Sequence, residues 1–181
     1  MLLGRDITVE NNHFRHNEMG AIKIETGYTF NSWSEGYGVS NVVIRNNRFD
    51  TVNPRGTASD GKARDIYIGV YMKLDPSSER TDYPILSDIL FEGNTFRDSF
   101  GLIAFISSAT NVTFRNNMFL NPTGRCRELP YRSAFFVTHS QNIKIVNNRY
   151  QESSHAPHPG VYYDEKSVSD LVVGGNTIIS P

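Results

Sequence analysis

Three carboxylates, Glu25, Glu35 and Asp65, are the residues of this sequence best suited to chemistry. Cleaving a glycosidic bond takes one carboxyl group to protonate the leaving oxygen and a second to act as base or nucleophile. A separation of about 5 Å goes with retention of configuration and roughly 6.5–9.5 Å with inversion. Side chains able to hold a sugar stand nearby. The segment TGYTFNSWSEGYGVS (26–40) carries Tyr28, Phe30, Trp33 and Tyr37 together with Glu35 and three glycines, and Tyr67 and Lys73 follow further along. A sugar ring stacks its C–H face on Trp or Tyr while carboxylates accept its hydroxyl hydrogens, the pairing of apolar wall and few polar groups on which binding clefts rely. The expected roles are acid and base among Glu25, Glu35 and Asp65, and sugar contacts from Trp33, Tyr28, Tyr67 and Lys73. The ordinary alternative for each carboxylate is a solvated group or a turn cap, and for Trp33 a cover over the side of the core. Asp75, in the turn-like run DPSS, is a weaker candidate.

Other chemistries find less support. Lys23, Arg64 and Lys73 could counter substrate charge or serve as the base of a polysaccharide lyase, but no Asp/Glu cluster has calcium-loop spacing. His155 and His158, in SSHAPHPG, have no evident third ligand, and His139 falls at a strand end. Cys126 is the only cysteine, so it forms no internal disulfide and matches no paired-thiol metal spacing. There is no Gly-rich phosphate cradle, no Ser nucleophile elbow and no Walker-type lysine. Neither a cofactor nor a metal is expected. With 18 Lys plus Arg against 19 Asp plus Glu, the net charge of -1 gives no broad basic field for nucleic acid. No stretch approaches the roughly 20 apolar residues that span a bilayer, so no membrane partner is expected either.

The elements that must position these groups come from a repeat. Six segments share one pattern: DITVENNHF (6–14), NVVIRNNRF (41–49), DILFEGNTF (88–96), NVTFRNNMF (111–119), NIKIVNNRY (142–150) and DLVVGGNTI (170–178). Each alternates apolar and other residues with period two, as a strand does, and then places an Asn and an apolar residue at a bend. The shared Asn12, Asn47, Asn94, Asn117, Asn148 and Asn176 are spaced by 35, 47, 23, 31 and 28 residues. No such strand buries its apolar side alone, but stacked copies make a continuous core. A 23-residue step is too short for strand, crossover helix and strand; it fits a coil of short strands and tight turns. Like residues then lie about 4.8 Å apart, and the six Asn form an internal ladder, with Asn also suited to a left-handed corner.

The expected architecture is therefore all-β: a right-handed parallel β-helix of about six short coils, one domain over 1–181 and part of a longer solenoid. A further strand is expected in most coils, at 21–24, 65–70, 101–106 and 133–137, with Val161-Tyr162-Tyr163 in the last full coil. Its inward sets are Ile22/Ile24, Ile66/Ile68/Val70 and Leu102/Ala104/Ile106, leaving Lys23, Glu25, Tyr67 and Tyr71 outward. Open coil ends are exposed strand edges, so their cover is expected from missing chain or from an oligomer partner. Excess residues concentrate in the first two coils, in 26–40, 50–64 and 73–87, and long loops on a rigid repeat are where binding surfaces form.

NVVIRNNRF, NVTFRNNMF and their relatives resemble the right-handed parallel β-helix superfamily that includes pectate lyases and polygalacturonases. The stretch 24–49, with NSWSEGYGVSNVVIRNNRF at its centre, is similar to the later coils of the α-1,3-galactosidase family. That resemblance implies inverting, metal-independent removal of terminal α-galactose, with Trp33 and Glu35 in the matching insertion; it does not place that family's catalytic aspartates in this chain. Two functions follow as expectations: glycoside hydrolysis of a terminal galactoside, or a non-catalytic carbohydrate-binding or structural β-helix. The partner in both is an oligosaccharide or polysaccharide. The resemblance implies an extracellular or periplasmic location.

Overall fold

The computed structural model describes residues 4–18, 20–29, 33–35, 38–52, 64–73, 83–127, 129–151 and 160–179. Among these there are eighteen strands and no helix. The chain visits three sheets in turn. The first sheet stacks β1 (Gly4–Glu10), β5 (Val39–Arg45), β8 (Leu86–Glu92), β11 (Ala109–Arg115), β14 (Ser140–Val146) and β17 (Val168–Gly174). The second stacks the three-residue strands β2 (His13–Arg15), β6 (Arg48–Asp50), β9 (Thr95–Arg97), β12 (Met118–Leu120), β15 (Arg149–Gln151) and β18 (Thr177–Ile179). The third stacks β3 (Ile22–Thr29), β7 (Arg64–Lys73), β10 (Leu102–Ser107), β13 (Ser133–Thr138) and β16 (Gly160–Tyr163). This is a right-handed parallel β-helix of five full coils and a sixth that ends after its second strand.

One strand departs from the parallel rule. β4 (Trp33–Glu35) turns back antiparallel on β3, with Gly27 opposite Glu35 and Thr29 opposite Trp33. It covers part of the amino-terminal edge of the third sheet, an edge that would otherwise offer unpaired backbone groups.

The core follows from the repeat. On the second sheet Phe14, Phe49, Phe96, Phe119 and Tyr150 lie in register, with ring centroids 4.8, 4.4, 5.3 and 4.9 Å apart along the column. Such spacing is within the range of favourable ring pairs. On the first sheet Val9, Ile44, Phe91, Phe114, Ile145 and Val173 form one inward column, and on the third Ile24, Ile68, Ile106 and Val137 form another. The column ends at the last coil are open: Tyr163, Val173 and Ile178 are 41%, 50% and 56% exposed.

The asparagine ladder forms as expected. Each Asn Nδ2 donates to the Oδ1 of the Asn one coil on, from Asn12 to Asn47 (3.1 Å) through to Asn148 and Asn176 (3.0 Å). The same Oδ1 also accepts the backbone N–H of the preceding ladder Asn. The corner is placed differently from expectation. The left-handed residue is the one before the ladder Asn: Asn11, Asn46, Gly93, Asn116, Asn147 and Gly175, with φ between 54° and 64°. The ladder Asn turns its side chain inward from the corner; its neighbour supplies the conformation. The polar residue that opens each motif, Asp6, Asn41, Asp88, Asn111, Asn142 and Asp170, is left-handed too.

Candidate functional site

Alternation on the third sheet sends every second side chain outward. There, register aligns Lys23, Tyr67, Phe105, Phe136 and Tyr162 in one column. Tyr67 stacks on Phe105 at 5.6 Å and 19°, Phe105 meets Phe136 at 5.3 Å and 77°, and Phe136 meets Tyr162 at 5.3 Å and 79°. The outward residues of the other sheets are largely polar or aliphatic, with ion pairs such as Arg45 to Glu10 and Arg115 to Glu92. Phe105 is fully buried although it faces away from the core, whereas Tyr67 is partly exposed.

Cations gather at the amino-terminal end of this column. The Arg64 guanidinium lies 4.5 Å from the Tyr67 ring centroid and 5.9 Å from that of Phe105, and Lys23 Nζ lies 5.5 Å from the Tyr67 centroid. Gly20, Ala21, Ile22, Lys23, Arg64, Asp65 and Tyr67 line a pocket of about 180 Å³. Gly69 gives Tyr67 its room: a Cβ there would stand 2.8 Å from the Tyr67 hydroxyl. The pocket combines an aromatic ring with two cationic heads, a surface suited to a ligand with an apolar face and hydroxyl or carboxylate oxygens.

Neither Glu25 nor Asp65 is a solvated carboxylate. Glu25 is 3% exposed, and Lys23 Nζ lies against its Oε2 as an ion pair without the alignment of a hydrogen bond. Asp65 is 1% exposed; Ser99 Oγ donates to its Oδ2, while Oδ1 has no hydrogen-bond partner. Burial pushes the Asp65 carboxyl up to about 8, against a smaller downward pull from Ser99.

The register separates these two acids. Ile22 pairs with Ile66 and Glu25 with Gly69, so Asp65 sits four residues back along the strands. At strand rise that is about 13 Å, beyond the spans that hydrolysis with retention or inversion uses. The backbone thus holds Glu25 and Asp65 apart, each with its own partner, Lys23 and Ser99. Glu35 lies elsewhere: its backbone is opposite Gly27, two positions along β3 from Glu25. Trp33 is opposite Thr29 on the same hairpin, and Tyr28 and Lys73 sit on β3 and β7, opposite Met72 and Thr29. The backbone thus brings Tyr28, Trp33, Glu35 and Lys73 to one end of the third sheet, and Tyr67 to its middle. Asp75, His155 and His158 lie outside the described residues, as do Phe30 and Tyr37. Among the described residues no three His, Cys, Asp or Glu side chains converge on a cation position.

Sequence reasoning missed the outward aromatic column and the Ser99 partner of Asp65. The signal for the column was present, because Phe105 and Phe136 occupy the same alternate position as Tyr67 in their strands.

No family model matches the sequence, and no curated protein matches it. Among solved structures, one from Parabacteroides merdae, provisionally described as a glycosyl hydrolase, is similar at 16% identity with a TM-score of 0.49; the match covers 100% of this chain and 81% of that one.

Proposed function

We propose that this β-helix binds carbohydrate on the outward face of its third sheet. One observation carries the reading: Tyr67, in an outward aromatic column, borders a pocket that Lys23 and Arg64 also line. An aromatic wall accepts a pyranose C–H face, and the two cations donate to hydroxyl or uronate oxygens. The test is binding of a panel of neutral and acidic oligosaccharides to the whole chain, followed by calorimetry and by saturation-transfer NMR. Tyr67→Ala is expected to weaken binding at least tenfold with the fold intact by circular dichroism. Unchanged affinity in that variant would overturn the placement.

Hydrolysis, with a terminal galactoside as substrate, is the second reading. It is favoured by the position of Glu35, whose strand runs beside Glu25 two register positions away. A proton donor and a base drawn from these two would need to bracket a bound sugar, with Trp33 as its stacking partner. Release of galactose from α- and β-galactosides should then be detectable and should fall on the order of a hundredfold or more in Glu25→Gln and Glu35→Gln. A chain that binds such galactosides without turnover refutes this reading and leaves the first in place. Export from the cytoplasm accompanies either proposal, because polymeric glycans are met outside the cell.

A further inference from the structure

We propose that a second saccharide subsite lies at the carboxyl-terminal end of the same outward column, where Tyr131 and Tyr162 form a corner beside Asp164 and Glu165. The inference rests on reading the third sheet as a carbohydrate-binding face. Tyr162 is the last ring of the column, and Tyr131, from the segment that precedes β13, meets it at 5.6 Å and 62°. Tyr131 is 54% exposed, one of the largest exposures of an apolar side chain in the described residues. The space these rings border is about 360 Å³ and is lined also by Tyr163, Asp164, Glu165 and Lys166.

The chemistry of this corner is that of a hydroxyl-bearing ring. Two tyrosines at an open angle offer one face for stacking and one edge, while two carboxylates stand ready to accept hydroxyl hydrogens. Asp164 is held in its turn because Ser167 Oγ donates to its Oδ2 at 2.6 Å and the Lys166 amide to its Oδ1 at 3.2 Å. Each carboxylate oxygen can accept more than one hydrogen bond, so acceptor capacity remains. The charge differs from that of the first pocket, where Lys23 and Arg64 dominate. A neutral pyranose suits the carboxylate-bearing corner, and an acidic unit suits the cationic one.

The two pockets are separated by three strand spacings, roughly 14 Å. The middle of the column is closed, since Phe105 is fully buried and the Arg64 guanidinium lies near it. A monosaccharide fills one pocket, and only a linked chain of several units reaches both. Affinity should then rise with chain length, because the second contact becomes intramolecular once the first is made.

The experiment titrates the whole chain with size-graded oligosaccharides, from monomer to hexamer, that carry a uronate unit at one end and neutral pyranoses beyond it, with all-neutral chains of the same lengths beside them. Affinity is expected to rise roughly tenfold or more once the ligand spans both pockets. Tyr131→Ala and Glu165→Gln, at exposed positions, should each flatten that rise while leaving monosaccharide binding at Tyr67 unchanged. A rise that persists in both variants overturns the second subsite and spares the first. Oligosaccharide binding that survives Tyr67→Ala but is lost in Tyr131→Ala supports the subsite and sinks the pocket at Tyr67. Absence of binding by every oligosaccharide overturns both.

Discussion

The hydroxyl of Ser99 donates to the carboxyl of Asp65 from 34 residues away, and solvent reaches neither side chain. Asp65 is the second residue of β7 in the second coil, while Ser99 belongs to the turn that leads into β10 of the third. The contact ties adjacent coils together and keeps a titratable group away from solvent. Its second oxygen has no partner, which is tolerable for a protonated carboxyl and costly for an ionised one.

That arrangement sets a pH dependence. Unfolded, the carboxyl titrates near 3.8; folded, burial raises it to about 8. Below the unfolded value both states hold the proton and the group costs nothing. Between the two values folding must take up a proton, so stability falls as pH rises, and the full penalty is reached above the folded value. At neutral pH the penalty is on the order of a few kcal/mol. Asp65→Asn keeps an acceptor for Ser99 and removes the ionisation. It should raise the melting temperature at about pH 7–8 and leave it nearly unchanged at about pH 4. A variant whose melting curve follows wild type at every pH would contradict the buried acid.

The asparagine ladder should be costly to interrupt at its middle and cheap at its end. Asn94 Oδ1 accepts from Asn47 N and Nδ2, and Asn94 Nδ2 donates to Ile44 O and to Asn117 Oδ1. Asn94→Ala removes four buried hydrogen bonds, although Asn47 Nδ2 keeps Val9 O and Asn117 Oδ1 keeps the amide of residue 94, for a loss of about 3 kcal/mol or more. Asn12, at the exposed first rung, should lose well under half as much on the same change. Urea denaturation of the two variants checks the contrast; equal losses would show that the rungs do not act through burial.

The corner before each rung makes a different demand. Asn116 has φ of 55° and an exposed side chain, so backbone conformation and not packing decides what fits there. Asn116→Gly should lie within about 1 kcal/mol of wild type, because glycine adopts this region freely. Asn116→Val should lose about 1–2 kcal/mol or more, since a β-branched residue is strained at positive φ. Equilibrium unfolding of the pair measures the difference directly.

Much of this fold is legible in the sequence because stacking repeats the same local problem in every coil. The six motifs give the first and second sheets, and the strands with Ile22/Ile24, Ile66/Ile68 and Leu102/Ala104/Ile106 give the third. What stayed hidden depends on register between coils of unequal length. Glu25 and Asp65 are both outward by alternation, yet only the pairing of Ile22 with Ile66 reveals that four residues separate them. The β4 hairpin is likewise a local reversal inside an aromatic insertion that carries no periodic signal. Choosing Asn12 and its equivalents as the left-handed corner was off by one, because Asn-Asn pairs supply two residues with the same tolerance and only hydrogen bonding separates their roles.

Gly69 tests whether the position of Tyr67 matters as well as its presence. A Cβ at residue 69 would stand 2.8 Å from the Tyr67 hydroxyl, 2.9 Å from Cζ and 3.3 Å from Cε1. All three atoms belong to the far end of a side chain that can swing, so the ring yields and the backbone need not. Gly69→Ala should therefore change stability by no more than about 1 kcal/mol. The displaced ring would leave its stack on Phe105 and its place beneath Arg64. Saccharide affinity at this pocket is expected to drop several-fold, with less effect than Tyr67→Ala. Calorimetry on the two variants decides the matter: full affinity in Gly69→Ala would mean that the ligand does not rest on the Tyr67 ring in its present orientation.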